Sequence, residues 1–192
     1  MKTIIITGAT GSIGNAAAHA LAQRGDVHLL LTGRDEAKLD AIRHDLDGYD
    51  NVIADTMTID LSDIISVNLG LEKIKAGYPK IDAIVNCAAI YKGEQALSRH
   101  GYELMFATNH LGPFQLTTGL MTQLKAAHGS RVIMVTAPST SSINFDDIPN
   151  PVKYSAFGQF GVTKMMNLLF AFSLAELFKG TGHAAIAFHP GL

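Results

Sequence analysis

The first stretch whose residue types and spacing could do chemistry is Thr7-Gly8-Ala9-Thr10-Gly11-Ser12-Ile13-Gly14. It follows a short apolar run and opens an alanine-rich segment. Glycines placed this way let the chain turn tightly, let a pyrophosphate approach the backbone, and let the next helix pack close to its sheet. The helix amino terminus adds unpaired N–H groups and the positive end of a dipole. Alone, such a run is also what an ordinary turn uses. With a strand before it, a helix after it and a βαβ unit around it, the run points to dinucleotide binding.

A second position bears on which dinucleotide. Folds of this kind end their second strand with an acid for a free ribose 2′-hydroxyl, or carry an arginine nearby for a 2′-phosphate. Here Leu29-Leu30-Leu31-Thr32 runs into Gly33-Arg34, with no acid at the tip. A guanidinium stacks on adenine and forks onto a phosphate; the plainer alternative is a solvated arginine at a helix start. Asp35 is the expected N-cap, so its carboxylate is engaged. NADP(H) is favoured over NAD(H).

Other reactive side chains give weaker signals. His19, His28, His44, His100, His110, His128, His183 and His189 lie on separate elements, without metal-ligand spacing, so no metal site is expected. His110 reads first as a packing or helix-surface residue. Asp146-Asp147 reads as a solvated pair. Cys87, the single cysteine, has no basic sequence neighbour to lower its pKa and reads as a packing residue.

These residues need elements to position them. Apolar runs of strand length recur at Lys2–Thr7, Val27–Thr32, Val52–Ile59, Ile81–Asn86, Arg131–Thr136 and Ala184–His189. Most are continuously hydrophobic, as expected of parallel strands covered on both faces. Helical stretches fall near Ser12–Arg24, Asp35–Leu46, Ser62–Ala76, Gly101–Ala126 and Ser155–Phe178, with Asp35 and Ser62 as caps. The alternation predicts an α/β fold: a doubly wound parallel sheet of Rossmann type, about six strands, helices on both faces, one domain over residues 1–192. Only 137–153, APSTSSINFDDIPNPVK, breaks the pattern; it follows a central strand's carboxyl end, where such sheets bind ligands.

With 192 residues the chain can bury a sizeable core, and 17% charged residues exclude global disorder. A formal charge of −2 gives no electrostatic case for nucleic acid. The single cysteine excludes an internal disulfide framework. No secretory signal is read at the start, and Met165–Ala175 is too short to span a bilayer, so the expectation is a soluble, cytoplasmic protein without a membrane span.

Taken in order, the motifs resemble those of the short-chain dehydrogenase/reductase superfamily over essentially the whole chain. The resemblance rests on TGATGSIG, Asp60-Leu61, Asn86-Cys87-Ala88-Ala89, Thr108-Asn109-His110-Leu111-Gly112-Pro113-Phe114, Lys164 and His189-Pro190-Gly191. The NHLG and HPG runs are most similar to the retinol-dehydrogenase-type branch. The resemblance implies that Gly8, Gly11, Ser12, Ile13 and Gly14 face the pyrophosphate, Asp60 and Leu61 the adenine, and Asn86 with Ala88 the adenosine ribose. It places Pro190 and Gly191 beside the nicotinamide. Asn109 would kink the long helix and hold a relay water, and Lys164 would bind the nicotinamide ribose. The implied reaction is hydride transfer between the cofactor and a carbonyl or alcohol carbon, with a tyrosine moving the proton and a serine holding the substrate oxygen.

This sequence departs from that pattern where the chemistry is done. Phe160 stands four residues before Lys164, where the family has tyrosine, and Ala137 stands at the serine position. Phenylalanine keeps the ring and discards the oxygen. Other hydroxyls that could serve are Tyr154, Thr136, Ser139, Ser141 and Ser142; Tyr154 lies off the Lys164 face. Two lesser departures are the T-G-x-x-G-x-x-G spacing, typical of the extended branch, and Ala89 with Cys87 in the Asn86 motif. The chain ends soon after Gly191, so the sixth strand is expected at an edge and the nicotinamide pocket without its usual lid. Three readings stand: an NADP(H)-binding relative with an impaired redox step, an active carbonyl reductase with another proton donor, and a cofactor-sensing or interaction protein. A homodimer through the helices bearing Asn109 and Lys164 is expected.

Overall fold

The computed structural model describes residues 1–138 and 140–191; Ser139 and Leu192 lie outside the described residues, and with Ser139 one of the candidate loop hydroxyls. Six strands form one parallel sheet in the order β3-β2-β1-β4-β5-β6. They are β1 Lys2–Thr7, β2 Val27–Gly33, β3 Val52–Thr58, β4 Ala83–Asn86, β5 Arg131–Val135 and β6 Ala184–Phe188. Chain order runs outward from β1 in both directions, so the crevice between the carboxyl ends of β1 and β4 is the topological switch point. Register places Thr7 opposite both Thr32 and Asn86, which aligns the three loops that frame it.

The helices are α1 Ser12–Ala22, α2 Glu36–Leu46, α3 Ile64–Gly77, α4 Leu104–Phe106, α5 Gly112–Gly119, α6 Met121–Ala126 and α7 Ala156–Leu177. Asp35 caps α2 as the sequence predicts, its carboxylate accepting from Lys38 N at 3.1 Å. The cap of α3 is Asp63 rather than Ser62, because Asp63 Oδ1 accepts from Ile65 N at 2.9 Å while Ser62 turns back onto Asp60. One core layer joins Ile5, Leu30, Ile84, Val132 and Met134 to α3, α5 and α7. The other joins Ile4, Ile6, Leu29 and Leu31 to α1 and α2.

One further expectation needs correction. The stretch Gly101–Ala126 is not one α-helix. It starts at Leu104 behind the Glu103 cap, widens into a π-helix over Ala107–Leu111, continues as α5 and breaks at Leu120 before α6. Pro113 has no N–H with which to reach Asn109 O. Gly112 N bonds Ala107 O instead, five residues back, and the freed Asn109 carbonyl accepts from Asn167 Nδ2 at 2.8 Å. Helices lie on both faces of the sheet, as expected, α1 and α2 on one and α3, α5 and α7 on the other. On the α1 side they cover β1 to β3, and Val85, Ile133, Val135, Ile186 and Phe188 line an open apolar trough beside Ile13 and Ala17.

The apolar segment around Met165–Ala175 belongs to α7, whose 22 residues are long and apolar enough by composition to cross a membrane. Its inner side, including Met166, Phe170, Ala171 and Leu174, is buried in the core. Phe157, Leu169, Phe172 and Leu177 are exposed on the same helix, as is Phe114 on α5.

Close approach of α5 to the loop after β3 depends on Gly112. A Cβ there would lie 2.1 Å from the backbone oxygen of Leu61. Gly112→Ala gains up to about 1 kcal/mol of helix propensity but forces backbone apart, at a cost of about 1–3 kcal/mol or more. The clash is with a carbonyl rather than a flexible side-chain tip, so the cost dominates. The expected outcome is a melting temperature lowered by about 3–8 °C, at ~2–4 °C per kcal/mol for a chain of this size; an unchanged or raised value would contradict this packing.

Candidate active site and dinucleotide cleft

The cleft is built from the loops after β1, β2, β3 and β4. Its lining includes Gly8, Thr10, Gly11, Gly33, Arg34, Leu61, Ala88, Ile90 and Thr108. The turn after β1 depends on contact between its ends: a Cβ at Gly14 would sit 2.4 Å from Gly8 O. Ser12 opens α1 with its side exposed, and Ile13 faces the apolar trough rather than the cleft. Leu61 reaches the cleft, whereas the Asp60 carboxylate accepts from Ser62 N at 2.9 Å and Ser62 Oγ at 2.7 Å. Pro190 and Gly191 follow β6 at the surface.

Whether these residues suit a dinucleotide can be asked of their unmet polar groups. Asn15 Oδ1, Asn86 Oδ1 and Thr108 Oγ1 are buried without a hydrogen-bond partner among the described residues. Of these Thr108 lines the cleft, where a ribose-pyrophosphate ligand would need a partner. Asn15 and Asn86 are outside its lining, the Asn86 amide reaching Thr117 Oγ1 and Met134 Sδ in the core, and Gln123 Oε1 on α6 is likewise unpartnered away from the cleft. Arg34 is exposed at the cleft mouth beside Thr10 and Lys38. Asp35 is occupied by the α2 cap and by Lys38 Nζ at 3.4 Å, leaving the guanidinium free of ion pairs among the described residues. The donor set fits.

Beyond β4, Asn109 makes a two-sided clasp. Its Oδ1 accepts from Ile90 N at 2.7 Å and its Nδ2 donates to Ile90 O at 3.0 Å, with Thr163 Oγ1 at 3.3 Å. Asn109 is fully buried. His110, next along the π-helix, meets Asn167 Oδ1 through Nδ1 at 3.0 Å and packs among Phe106, Phe114 and Phe170. Burial lowers its pKa, so it is a packing histidine. Ser155 caps α7 through Gly158 N, and Gln159 reaches the buried Glu103 carboxylate at 2.7 Å.

Lys164 is buried and its Nζ donates to Val135 O at 3.1 Å. The same Nζ lies 5.3 Å from the Phe160 ring centroid, so an ammonium stands over a ring that carries no hydroxyl. Burial lowers the Lys164 pKa to about 8. Cys87, in the cleft wall nearby, has its thiol pushed up to about 11 by burial, an effect that Lys164 partly opposes. Ala137 follows β5 with no side-chain donor, and Thr136 Oγ1 donates to Phe188 O at 3.2 Å. Tyr154 is engaged too, its hydroxyl donating to Lys92 O at 2.6 Å. Ser141 and Ser142 line a separate hollow with Phe106, Gly158 and Met166.

Sequence reasoning missed Thr10 and Thr108 in the cleft, and Tyr91, whose ring stands edge-on to Phe160 with centroids 5.8 Å apart. Tyr91 lies in the loop after β4, two residues past the Asn86 motif, and no local spacing singled it out.

A parallel sheet with this strand order and a glycine turn at its switch point defines a dinucleotide-binding α/β protein. The family model described as short chain dehydrogenase matches residues 2–176, and the chain belongs to that family. Retinol dehydrogenase 12 of Mus musculus is 32% identical over 197 residues, covering all of this chain and 61% of that protein. Retinol dehydrogenase 13 of Homo sapiens is likewise 32% identical over 195 residues, covering all of this chain and 59% of its own length. The chain thus spans about three fifths of the curated relatives it matches. Among solved structures, an uncharacterized protein from Mycobacterium paratuberculosis superposes with a TM-score of 0.86 at 30% identity, covering 100% of this chain and 68% of that one. A short-chain dehydrogenase from Sphingobium yanoikuyae, solved with NADPH, gives 0.81 at 19% identity over 98% of this chain and 70% of its own, a likeness of fold.

The opposed pKa shifts of Lys164 and Cys87 give a pH signature. Between its folded value of about 8 and its ordinary 10.5, Lys164 holds its proton better in the unfolded chain, so its contribution makes stability rise with pH across that window. Between its ordinary 9.0 and about 11, Cys87 keeps its proton better in the folded chain, so its contribution falls. The two slopes, each up to about 1.4 kcal/mol per pH unit, oppose one another above pH 9. Urea midpoints from pH 8 to 10 are expected to climb in Cys87→Ala and to drop in Lys164→Met, relative to the unsubstituted chain. Parallel profiles for all three would refute the pairing.

Proposed function

We propose that the chain is an NADP(H)-binding oxidoreductase relative whose ordinary serine–tyrosine proton route is disabled. The observation that carries this is one of contrast. The cleft keeps its glycine turn, the unpartnered Thr108 hydroxyl, Asn109 and Lys164, while Ala137 and Phe160 present no hydroxyl. The bound dinucleotide would supply a hydride from its nicotinamide ring. Gly8, Gly11 and the α1 amino terminus with Ser12 and Gly14 would receive the pyrophosphate, Leu61 would flank the adenine, and Asn86 and Ala88 the ribose. Arg34 would take the 2′-phosphate, which favours NADP(H) over NAD(H). Lys164 would meet the nicotinamide ribose, with Pro190 and Gly191 closing that end.

A carbonyl accepting hydride develops negative charge on its oxygen, and a donor at that point is needed to hold it. A general acid contributes about 10²–10⁴-fold and an oxyanion donor about 10²–10³-fold, without strict multiplication. Carbonyl or alcohol turnover by this chain is therefore slow. The exposed apolar side chains of α5 and α7 support a homodimer through those helices, and the cysteine in a reduced state suits a cytoplasmic setting. The reading as a cofactor-sensing or interaction protein shares the same cleft and differs only in having no turnover to restore.

Restoring both hydroxyls tests the proposal. Ala137→Ser with Phe160→Tyr is expected to raise the rate of NADPH oxidation with small aldehydes by at least ~10²-fold. Vigorous turnover before reversion would rule out a disabled site. Silence in both forms with cofactor bound would favour the sensing role.

A further inference from the structure

The proton path did not vanish with the hydroxyl of residue 160. We infer that Tyr91 is the remaining proton donor of the site, serving the slow hydride transfer that the chain retains. This rests on the NADP(H)-oxidoreductase reading above and goes further by naming the group that moves the proton.

The group absent at residue 160 is a phenol, and another tyrosine is its nearest chemical replacement. The sequence has five tyrosines. Tyr78 donates to Asp55 Oδ2 at 2.5 Å, on β3. Tyr49 is paired with His19 beyond α2. Tyr102 packs on Phe106, in the loop before α4. Tyr154 spends its hydroxyl on Lys92 O. Tyr91 alone packs on the ring of Phe160, and no protein acceptor among the described residues takes its hydroxyl.

The backbone holds it there. Tyr91 follows Ile90, whose N–H and C=O are both gripped by the Asn109 amide. Ile90 also lines the dinucleotide cleft, and Tyr91, the next residue, sets its ring against Phe160. At 57% exposure the side chain reaches water. In the step, the hydride adds to the carbonyl carbon as the Tyr91 O–H bond breaks and its proton forms the new O–H bond of the alcohol. The tyrosinate then takes a proton from solvent. A phenol displaced from its family position by one ring acts with poorer alignment, which agrees with slow turnover.

Two measurements test this on the full chain. With carbon-13 at tyrosine Cζ, the Tyr91 resonance, assigned by its loss in Tyr91→Phe, is expected to shift on adding NADP⁺. It is expected to stay in place with 2′,5′-ADP, which carries only the adenosine half. In the second measurement, Tyr91→Phe is expected to lower the residual rate of NADPH oxidation with hexanal and benzaldehyde by ~10²-fold or more. In the Ala137→Ser, Phe160→Tyr background the same substitution should cost less than about threefold, because the proton then leaves from residue 160. A Tyr91 resonance indifferent to bound NADP⁺, an unchanged rate in Tyr91→Phe, or no rate at all in the cofactor-loaded chain would each overturn the assignment. If neither NADP⁺ nor 2′,5′-ADP binds, the cofactor reading itself fails, and the assignment with it.

Discussion

One buried amide couples the parts of this site. The Asn109 side chain holds both polar atoms of Ile90, while its own backbone oxygen is held by Asn167 of α7. That arrangement ties the loop after β4 to the π-helix and to the helix bearing Phe160 and Lys164. It exists because Pro113 cannot donate into the helix, which frees the Asn109 carbonyl and widens the turn. Each buried hydrogen bond contributes only about 0.5–1.5 kcal/mol net. Their value lies in geometry: loop, π-helix and α7 are fixed relative to one another by one connected set of amides.

From this clasp follows a division between binding and chemistry. The residues proposed for the pyrophosphate, adenine and adenosine ribose sit mainly on the loops after β1 to β4. On the other half, Lys164 keeps its place through Val135 O and the face of Phe160, with burial drawing its pKa toward neutrality. With a pKa of about 8 the amine is still mostly protonated near neutral pH and keeps its positive charge there.

Much of this was legible in the residues. Strands such as Leu29-Leu30-Leu31 declare themselves because both faces are buried, and Asp35 reads as a cap because nothing else in its turn offers a side-chain acceptor so placed. The interrupted helix did not declare itself. Its apolar period continues through Ala107–Leu111, and the consequence of Pro113 appears only when Asn167 arrives from a distant helix. The open trough along β4, β5 and β6 was hidden for a related reason, since a continuous apolar run cannot say whether its second face is covered. Tyr91 escaped notice because its importance comes from a contact with Phe160 across 69 positions of chain, which no local spacing records.

The central claim is that the dinucleotide cleft is intact and reads a 2′-phosphate through Arg34. Calorimetric titration of the chain and of Arg34→Ala with NADPH and with NADH measures it most directly. A charge-assisted, forked contact of about 1.5–3 kcal/mol corresponds to roughly a 10–100-fold preference for NADPH. Arg34→Ala is expected to abolish that preference while leaving NADH affinity within about threefold. Equal affinities for the two dinucleotides in the unsubstituted chain, or an undiminished NADPH affinity in Arg34→Ala, would contradict the account.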